Sequence, residues 1–305
     1  MTVVRVAHPV DLGLTLGPLR RGPRDPSFVV DGAGTWLAMR TPDGLATLRL
    51  VARAAAGPGG GAVIALRAWG PGEAWAIAHA PALVGAEDVA RDFAPTGKLA
   101  ELHRRFPGLR FARTGRVLDV LVPTIFEQKV SGMEAQMGYR DLVRRWGEPT
   151  PGPKSGPSLL APPAAETLAR LPYTAFHELG VEKRRADTVR LVARRAARME
   201  EASTMPPAAA RARLEAIPGV GPWTSGMVAL HALGDADAVP AGDYHLPNMV
   251  VLAFTGRARG VDAEMLELLA PFAGHRGRVL RLLMAGGIAA PRFGPRRAFR
   301  RIGRM

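Results

Sequence analysis

One short segment constrains the fold more than any other: a Pro-Gly-Val-Gly turn at residues 218–221, between two stretches of helical periodicity. The first helix is expected to end near Ile217, and the second to begin at Pro222, because proline suits the first helical position. Four residues are too few for a loop, so the chain must turn sharply, and Gly219 and Gly221 permit positive φ and leave no Cβ on the turn. The segment predicts a helical hairpin whose exposed N–H groups, beside a helix N-terminus, can bind phosphate without a charged side chain.

Residues 1 to about 95 are expected to be β-rich. The short alternating or β-branched runs in this region are VVRVAH, SFVVD, TWLAMR, LATLRLVARA, AVIALRAWG and AWAIAH. Residues 41–44, Thr-Pro-Asp-Gly, indicate a hairpin turn, and the glycine-rich residues 57–61 indicate a flexible loop between two more strands. The pattern predicts an antiparallel sheet, with or without a helix laid on it.

From about Lys98 the periodicity changes to 3.6 residues, which is typical of helices. Interruptions are expected near Pro123 and Gly132, and a proline-rich loop at 149–163. Because no strand signal returns, the fold class is α+β: a β-rich antiparallel domain at 1–97 is followed by an all-α region at 98–290 that contains the hairpin at 214–225. The basic tail at 291–305 is predicted either to be disordered or to contact phosphate.

Charge and composition restrict the class of protein further. The 41 basic residues outnumber 27 acidic ones, giving a net charge of +14, and a polyanionic partner is the first inference. Only four of the basic residues are lysine, a preference that a GC-rich genome explains, but genome composition does not explain the excess over acids. The absence of cysteine excludes disulfides, thiolate zinc sites and iron–sulfur clusters. No apolar run reaches the roughly 20 residues of a membrane span, and no secretory signal is visible, so we expect a soluble, cytoplasmic protein.

The string from Leu214 to Thr224, L-x-x-I-P-G-V-G-x-W-T, resembles the helix-hairpin-helix DNA glycosylase superfamily, and most closely its 3-methyladenine DNA glycosylase II (alkylpurine) branch. In that superfamily an essential aspartate follows the hairpin by about twenty residues, and Asp243 lies at this spacing, after Pro240 and before Tyr244. The resemblance implies a two-lobed helical core and a catalytic role for Asp243. The alternative for Asp243 is an N-cap of the next helix, and both can hold.

The same resemblance assigns residues to DNA binding and to a base pocket. Residues 125–131, I-F-E-Q-K-V-S, resemble the segment whose glutamine and following residue probe the gap left by a flipped nucleotide. The DNA-binding residues implied are Gln128, Lys129, Pro218, Gly219, Val220, Gly221 and Thr224. The residues implied to line a pocket for the extruded base are Trp223, Met227, Tyr244 and His275. Asp235 and Asp237 are the fallback candidates for the catalytic acid.

Three positions depart from the family's pattern. Lys129 stands where relatives have an apolar wedge, and Met227 and His275 stand where they have aromatic rings. At position 129 a charged side chain therefore replaces the apolar one that relatives insert into the duplex. The set of bases that the pocket accepts can also differ from that of the relatives. No lysine follows the hairpin, so we expect no Schiff base and no strand-cutting lyase activity. The resemblance also implies a Na⁺ or K⁺ on the backbone carbonyls of Glu215, Ile217 and Val220.

The leading hypothesis is a monofunctional glycosylase that flips out and excises alkylated purines from double-stranded DNA in base excision repair, and that acts as a monomer. Two alternatives stay open at this point. One is a helix-hairpin-helix protein that binds DNA without cleaving it, for which no acid at Asp243 is needed. The other is a glycosylase for oxidised or deaminated bases.

Overall fold

The computed structural model describes residues 2–55, 60–90 and 92–291. Its N-terminal region contains a five-stranded antiparallel sheet in the order β1-β5-β4-β3-β2. The strands are β1 (Thr2–Val6), β2 (Phe28–Asp31), β3 (Gly34–Thr41), β4 (Gly44–Ala54) and β5 (Ala62–Trp69). The predicted turn at 41–44 joins β3 to β4, with Thr41 paired to Gly44. The predicted β-rich region is confirmed.

One predicted strand is wrong. The run AWAIAH lies inside a helix, α2 (Glu73–Leu83), which packs on β4 and β5. Its buried side chains are Ala76, Ala80 and Leu83, at spacings of three and four residues. Six residues rich in alanine satisfy a period of 2 and a period of 3.6 almost equally well, and alanine's high helix propensity favours the helix. A second, short helix, α1 (Leu12–Leu16), follows β1.

The helices that follow are as the periodicity predicts. They are α3 (Gly97–Arg105), α4 (Leu118–Glu127), α5 (Gly132–Trp146), α6 (Ala165–Arg170), α7 (Tyr173–Glu178), α8 (Lys183–Arg194), α9 (Ala196–Glu200), α10 (Pro207–Glu215), α11 (Pro222–His231), α12 (Leu246–Thr255), α13 (Asp262–Leu269) and α14 (Arg276–Ala285). The region is not entirely helical, however. A two-stranded antiparallel pair, β6 (Glu148–Pro149) and β7 (Leu160–Ala161), brackets the proline-rich loop. Strands of two residues carry no periodicity, so the sequence could not reveal them.

The helical residues form two buried clusters. One is built mainly from α4, α5 and α8, around residues such as Phe126 and Leu142. The other contains side chains of α12, α13 and α14, around residues such as Met265 and Leu280. Helix α11 contributes to both, with Val228 in the first cluster and neighbouring residues in the second. The helix that begins at the hairpin therefore lies between the two cores.

A buried ion pair connects the segment after α2 to the last helix. Arg278 is 1% exposed and donates to both oxygens of Asp88, at 2.5 and 3.1 Å. The same guanidinium lies 5.0 Å from the ring centroid of Phe111, and the side chain of Arg281 donates to the Leu14 carbonyl. These contacts fix α14 against the segments that precede the helical core. Within the described residues, no helix is long and apolar enough to cross a membrane. Most of the predicted basic tail, 292–305, and most of the glycine-rich loop lie outside the described residues.

Candidate DNA-binding and catalytic site

The hairpin has the predicted geometry, with one correction. Helix α10 ends at Glu215, and α11 starts at Pro222, which occupies the first helical position after Gly221. Gly219 has φ +92°, in the left-handed region that favours glycine. Gly221 has φ −108°, an extended conformation open to any residue, so the expectation of a positive φ there is wrong. A Cβ at position 221 would meet no atom within 4 Å, so neither the backbone conformation nor packing within the described residues requires glycine there.

Helix α11 begins without a side-chain cap, which leaves backbone N–H groups of its first turn available to an outside acceptor. Pro218 and Pro222 are exposed, whereas Val220 is buried and anchors the turn in the first core. A Cβ on Gly219 would lie 2.2 Å from Oγ1 of Thr188, so the turn packs directly on α8. The turn is therefore packed on α8 at Gly219, and the uncapped first turn of α11 follows it, which is the arrangement expected of a phosphate site.

Gln128 and Thr224, both predicted to contact DNA, bind each other. The side-chain amide of Gln128 donates to the Gly219 carbonyl and to the Thr224 hydroxyl, each at 2.9 Å. Thr224 is 2% exposed, so its side chain does not form part of the outer surface. No sequence pattern predicts this contact, which joins the end of α4 to the hairpin 91 residues later. DNA binding by these two side chains stays a prediction.

Lys129 lies in the turn between α4 and α5 and is exposed. It has φ +56°, and among the described residues it is the only non-glycine with positive φ. Helix α5 then begins with a capping box, in which Ser131 and Glu134 bond to each other's backbone N–H groups. A non-glycine residue in the left-handed region costs free energy, and such residues concentrate at functional sites. Lys129 therefore occupies a sharply formed, outward-facing turn next to Gln128.

Asp243 makes three hydrogen bonds. One oxygen, Oδ1, accepts from the backbone N–H groups of His245 and Leu246 at 2.7 and 2.9 Å, at the start of α12. The other, Oδ2, accepts from the indole Nε1 of Trp223 at 2.9 Å. The N-cap residue of α12 is His245 and not Asp243, so the expected helix start at Tyr244 is wrong, although the Asp243 carboxylate still accepts from the first N–H groups of α12. The sequence analysis did not predict the bond to Trp223. Because a carboxylate offers about four lone-pair positions, one remains for a further donor or a developing positive charge.

Helix α11 therefore places two adjacent residues in two different bonds. Trp223 reaches Asp243, and Thr224 accepts from Gln128. Trp223 was predicted as a base-pocket residue, and its ring is half-buried. The only sequence signal for this bond is the spacing of twenty residues between Trp223 and Asp243. The residues around Trp223 do not indicate that its indole N–H binds a carboxylate.

The other predicted pocket residues are dispersed. Tyr244 is 74% exposed and its ring makes an edge contact with His245 at 5.0 Å between centroids. Met227 is half-buried on α11. His275 precedes α14, packs on Phe93 at 5.1 Å and accepts from Arg278 Nε at 3.3 Å. Burial, together with the charge of Arg278, lowers the pKa of His275, which favours the neutral ring.

The two fallback acids have structural partners. Asp237 forms an ion pair with Arg276 and also accepts from the backbone N–H of Gly274 at 2.8 Å. Burial opposes ionisation of Asp237, but the hydrogen bonds from Arg276 outweigh it and lower the pKa. Asp235 accepts from the Asp237 N–H, and burial raises its pKa. Asp237 holds the segment before α14 and Asp235 a local turn, so Asp243 is the one of the three candidate acids that bonds to the helix after the hairpin.

The hairpin also presents oxygens for a cation. The Ile217 carbonyl accepts from the Val220 N–H at 2.9 Å, and a carbonyl keeps a second lone pair after one such bond. Among the described residues, no hydrogen bond is made to the carbonyls of Glu215 and Val220. Oxygen ligands without a bound proton donor suit a hard monovalent cation, so the residues fit the predicted group. Its presence stays a prediction.

The hairpin, the hydrogen-bonded Asp243 and the combination of an antiparallel sheet with a helical region point to one class of fold. The chain has the fold of the helix-hairpin-helix DNA glycosylases, and the resemblance predicted from the sequence is confirmed. In structure it is similar to a 3-methyladenine DNA glycosylase from Archaeoglobus fulgidus, with a TM-score of 0.76 and 19% identity over 93% of this chain and 98% of that one. It is also similar to an 8-oxoguanine glycosylase/lyase from Clostridium acetobutylicum, with a TM-score of 0.67 and 12% identity over 92% and 94% of the two chains.

In sequence, 145 residues are 33% identical to a probable bifunctional transcriptional activator/DNA repair enzyme AlkA of Mycobacterium tuberculosis. The match covers 46% of this chain and 28% of that protein, so it spans less than a third of the curated relative's length. No protein-family profile matches the chain. The sequence similarity supports the alkylpurine branch, whereas the fold is common to enzymes for alkylated and for oxidised bases.

Proposed function

We propose that this chain is a monofunctional DNA glycosylase that hydrolyses the N-glycosidic bond of alkylated purines extruded from double-stranded DNA. The observation that carries the proposal is Asp243, a carboxylate fixed by three hydrogen bonds, one of them to Trp223 in the first turn of the helix that follows the hairpin. A protein that only binds DNA gains nothing from an acid there, since a carboxylate beside a phosphate site repels the backbone. An enzyme that cleaves a glycosidic bond needs such a group.

The chemistry follows from the charge that develops during cleavage. As the base departs, positive charge grows on the deoxyribose, and a fixed carboxylate near the sugar stabilises that charge without reorganising. Asp243 is held in place by two backbone N–H groups at the N-terminus of α12 and by the Trp223 N–H. Its remaining lone-pair position could face the sugar or orient the attacking water. A cationic alkylated purine is already a good leaving group, so this assistance suffices.

The alkylpurine preference and the monofunctional mechanism each rest on one observation. The first is the sequence similarity to the AlkA protein. The second is the absence of lysine from residues 222–225, Pro-Trp-Thr-Ser, which removes the amine that a glycosylase/lyase uses for a Schiff base. A preference for oxidised bases is the second candidate, because an 8-oxoguanine glycosylase/lyase shares the fold.

DNA binding is proposed to rest on the hairpin N–H groups and on the net charge of +14. Phosphate contacts release counterions, so binding should weaken steeply between about 50 and 200 mM salt. A Na⁺ or K⁺ on the carbonyls of Glu215, Ile217 and Val220 would add positive charge at the same place. A salt-independent affinity would argue against phosphate contacts, and light scattering would test the proposed monomer.

The deciding experiment measures base release from methylated duplex DNA by the wild type and by Asp243→Asn. The wild type should release methylated purines, and Asp243→Asn should lose most of this activity while still binding an abasic duplex. Trp223→Phe is the companion variant, because it removes the N–H donor and keeps the carboxylate; it should lower activity less than Asp243→Asn. A wild type that binds methylated DNA but releases no base would contradict the enzyme, and a fully active Asp243→Asn would contradict the site.

Two further arms separate the alternatives. A duplex containing 8-oxoguanine, assayed in parallel, tests the second candidate, and we expect slower release than from methylated DNA. Borohydride added during turnover traps a Schiff base as a covalent adduct. We expect no adduct, and a trapped protein–DNA species would contradict the monofunctional mechanism.

A further inference from the structure

One face of the N-terminal sheet is turned away from its core. The buried residues of β4 and β5, such as Leu48 and Leu66, pack under α2, and the residues that alternate with them point to the opposite face. The arginines on that opposite face are exposed or half-buried, and they are Arg5 on β1, Arg49 and Arg53 on β4, and Arg67 on β5. We refer to the surface that these four side chains define as the arginine face.

The strand register places the arginines close together. Arg49 lies directly opposite Arg67, so their Cα atoms are about 4.5–5.5 Å apart. Arg5 and Arg53 are paired with Val63 from its two sides, and Arg53 lies about 13 Å along β4 from Arg49 at roughly 3.3 Å per residue. Like charges directly opposite each other destabilise a sheet, so the stability of the sheet does not account for this arrangement.

The arginine face lacks matching negative charge. Among the described residues, none of its four arginines forms an ion pair. Arg40, at the border of the face, has its own counter-charge in Glu148, at 2.7 Å. The acid on the strands of this face is Asp31, whose carboxylate accepts from the Trp36 indole N–H at 3.0 Å. Four arginines against one aspartate leave a net charge of +3 on the face.

Two of the guanidinium groups are held in place by tryptophan rings. The Arg49 guanidinium lies over the Trp36 ring, 5.2 Å from its centroid, and that of Arg67 lies over the Trp69 ring at 5.4 Å. The two rings stack on each other, with their centroids 5.8 Å apart and their planes at 19°. The Nε of Arg49 also donates to the Ala33 carbonyl at 2.7 Å. Side chains that are fixed in this way lose less entropy when they bind a ligand.

We propose that the arginine face is a second DNA-binding surface, which contacts the phosphate backbone of a duplex without reading its bases. Guanidinium groups bind phosphate through paired N–H donors, and the 13 Å span covers about four phosphates of one strand at roughly 3.4 Å each. Sites for unpaired bases use open aromatic rings, whereas Trp36 is 3% exposed. This inference does not depend on the glycosylase proposal, because Asp243 contributes nothing to the surface.

The arginine face is also separate from the hairpin. It borders the proline-rich loop that follows α5, since Leu159 and Ala161 pack on Trp36. The bonds from Gln128 to the hairpin lie before the start of α5. The 15 residues of α5 span about 22 Å at a rise of 1.5 Å per residue. The hairpin and the arginine face would therefore contact different stretches of DNA.

The test measures the affinity of the whole protein for an undamaged duplex by fluorescence anisotropy over a series of salt concentrations. Each phosphate contact contributes about 0.9 to the slope of log affinity against log salt. Arg49→Gln combined with Arg67→Gln should therefore lower the magnitude of this slope by about 2. Arg49→Lys combined with Arg67→Lys keeps both charges and should retain most of the slope.

The matched control combines Arg113→Gln with Arg145→Gln. Both arginines are exposed, but each forms an ion pair, with Glu87 at 2.8 Å and with Glu178 at 2.6 Å. This pair changes the net charge of the chain by the same amount as the glutamine pair on the arginine face. It should leave the salt slope nearly unchanged, because the two arginines do not belong to the proposed surface.

Several results would overturn the proposal. An unchanged slope for the glutamine pair would show that Arg49 and Arg67 bind no phosphate, and an equal loss in the control pair would show an effect of net charge alone. A loss in the lysine pair as large as in the glutamine pair would indicate a damaged sheet. Binding to phosphatidylglycerol vesicles that the glutamine pair abolishes, with its DNA slope intact, would assign the face to a membrane surface. Because the duplex is undamaged, none of these results depends on base release.

Discussion

Gly219→Ala should destabilise the protein by about 2–5 kcal/mol, and the structure divides this cost into two parts. Alanine in the left-handed conformation at φ +92° lowers the free energy of unfolding by about 1–2 kcal/mol. Its Cβ would also lie 2.2 Å from Thr188 Oγ1 and 3.0 Å from Cγ2, an overlap of the kind that costs about 1–3 kcal/mol. Thr188 cannot easily rotate away, because its hydroxyl donates to the Arg184 carbonyl at 2.9 Å.

A double-mutant cycle separates the two parts. Thr188→Ala removes Oγ1 and Cγ2 and leaves only Cβ, 3.2 Å from the new methyl group. Adding Gly219→Ala to Thr188→Ala should therefore cost about 1–2 kcal/mol, the conformational part alone. The coupling between the two substitutions is the steric part, about 1–3 kcal/mol. Urea unfolding followed by tryptophan fluorescence measures all four proteins.

Gly221→Ala is the matched control, two residues away on the same turn. Its φ of −108° suits alanine, and a Cβ there meets no atom within 4 Å, so stability should change by less than about 1 kcal/mol. Duplex affinity, measured by fluorescence anisotropy, should nevertheless fall, because the methyl group stands where a phosphate approaches the N–H groups. Equal stability losses for Gly219→Ala and Gly221→Ala would refute this account of the turn, and unchanged DNA affinity of Gly221→Ala would refute the phosphate assignment.

Three further predictions concern side chains that the structure shows to be paired or buried. Gln128→Ala should cost about 1–3 kcal/mol, because it leaves a hairpin carbonyl and the Thr224 hydroxyl unpartnered, and a cycle with Thr224→Val measured in urea should show positive coupling. Asp88→Asn should cost about 3–5 kcal/mol by thermal unfolding, since it leaves Arg278 buried and uncompensated, and a loss below about 1 kcal/mol would contradict this. Asp119 has its folded pKa raised from 3.8 to about 6, so the folded state retains a proton that the unfolded state releases. Wild-type stability relative to Asp119→Asn should therefore fall by up to about 3 kcal/mol between pH 4 and pH 7, and parallel pH profiles of the two proteins would contradict the shift.

Much of the architecture follows from local chemistry that the sequence displays. The turn at 41–44 pairs β3 with β4 because its residue types favour a reversal, and Pro222 starts α11 because its missing N–H is not needed there. Where a window is short and alanine-rich, as in α2, two periodicities compete and tertiary packing decides between them. Strands β6 and β7 are defined by their pairing alone.

The candidate site shows a different limit. Sequence spacing predicted the hairpin, which the structure contains, and a catalytic role for Asp243, which stays a prediction. Both predictions rest on residues close together in the chain. The bond from Gln128 to Thr224 joins residues 96 apart, and the bond from Trp223 to Asp243 joins residues 20 apart. The residue type of the donor does not indicate its acceptor in either case. Side-chain exposure is equally hidden: Tyr244 was expected in a pocket and is 74% exposed. Such contacts depend on how helices pack, which periodicity does not specify.

Under the proposed function, these two bonds would link DNA binding to base release through the first turn of α11. Thr224 ties that turn to Gln128, next to the strained Lys129, and Trp223 ties it to Asp243. A displacement of the hairpin on binding a phosphate would therefore be transmitted to the carboxylate through one indole N–H, and to the turn at Lys129 through one amide. Trp223→Phe cuts the first connection and Thr224→Val weakens the second. If the linkage holds, Trp223→Phe should lower the rate of base release with little change in duplex affinity, whereas Thr224→Val should change the affinity first.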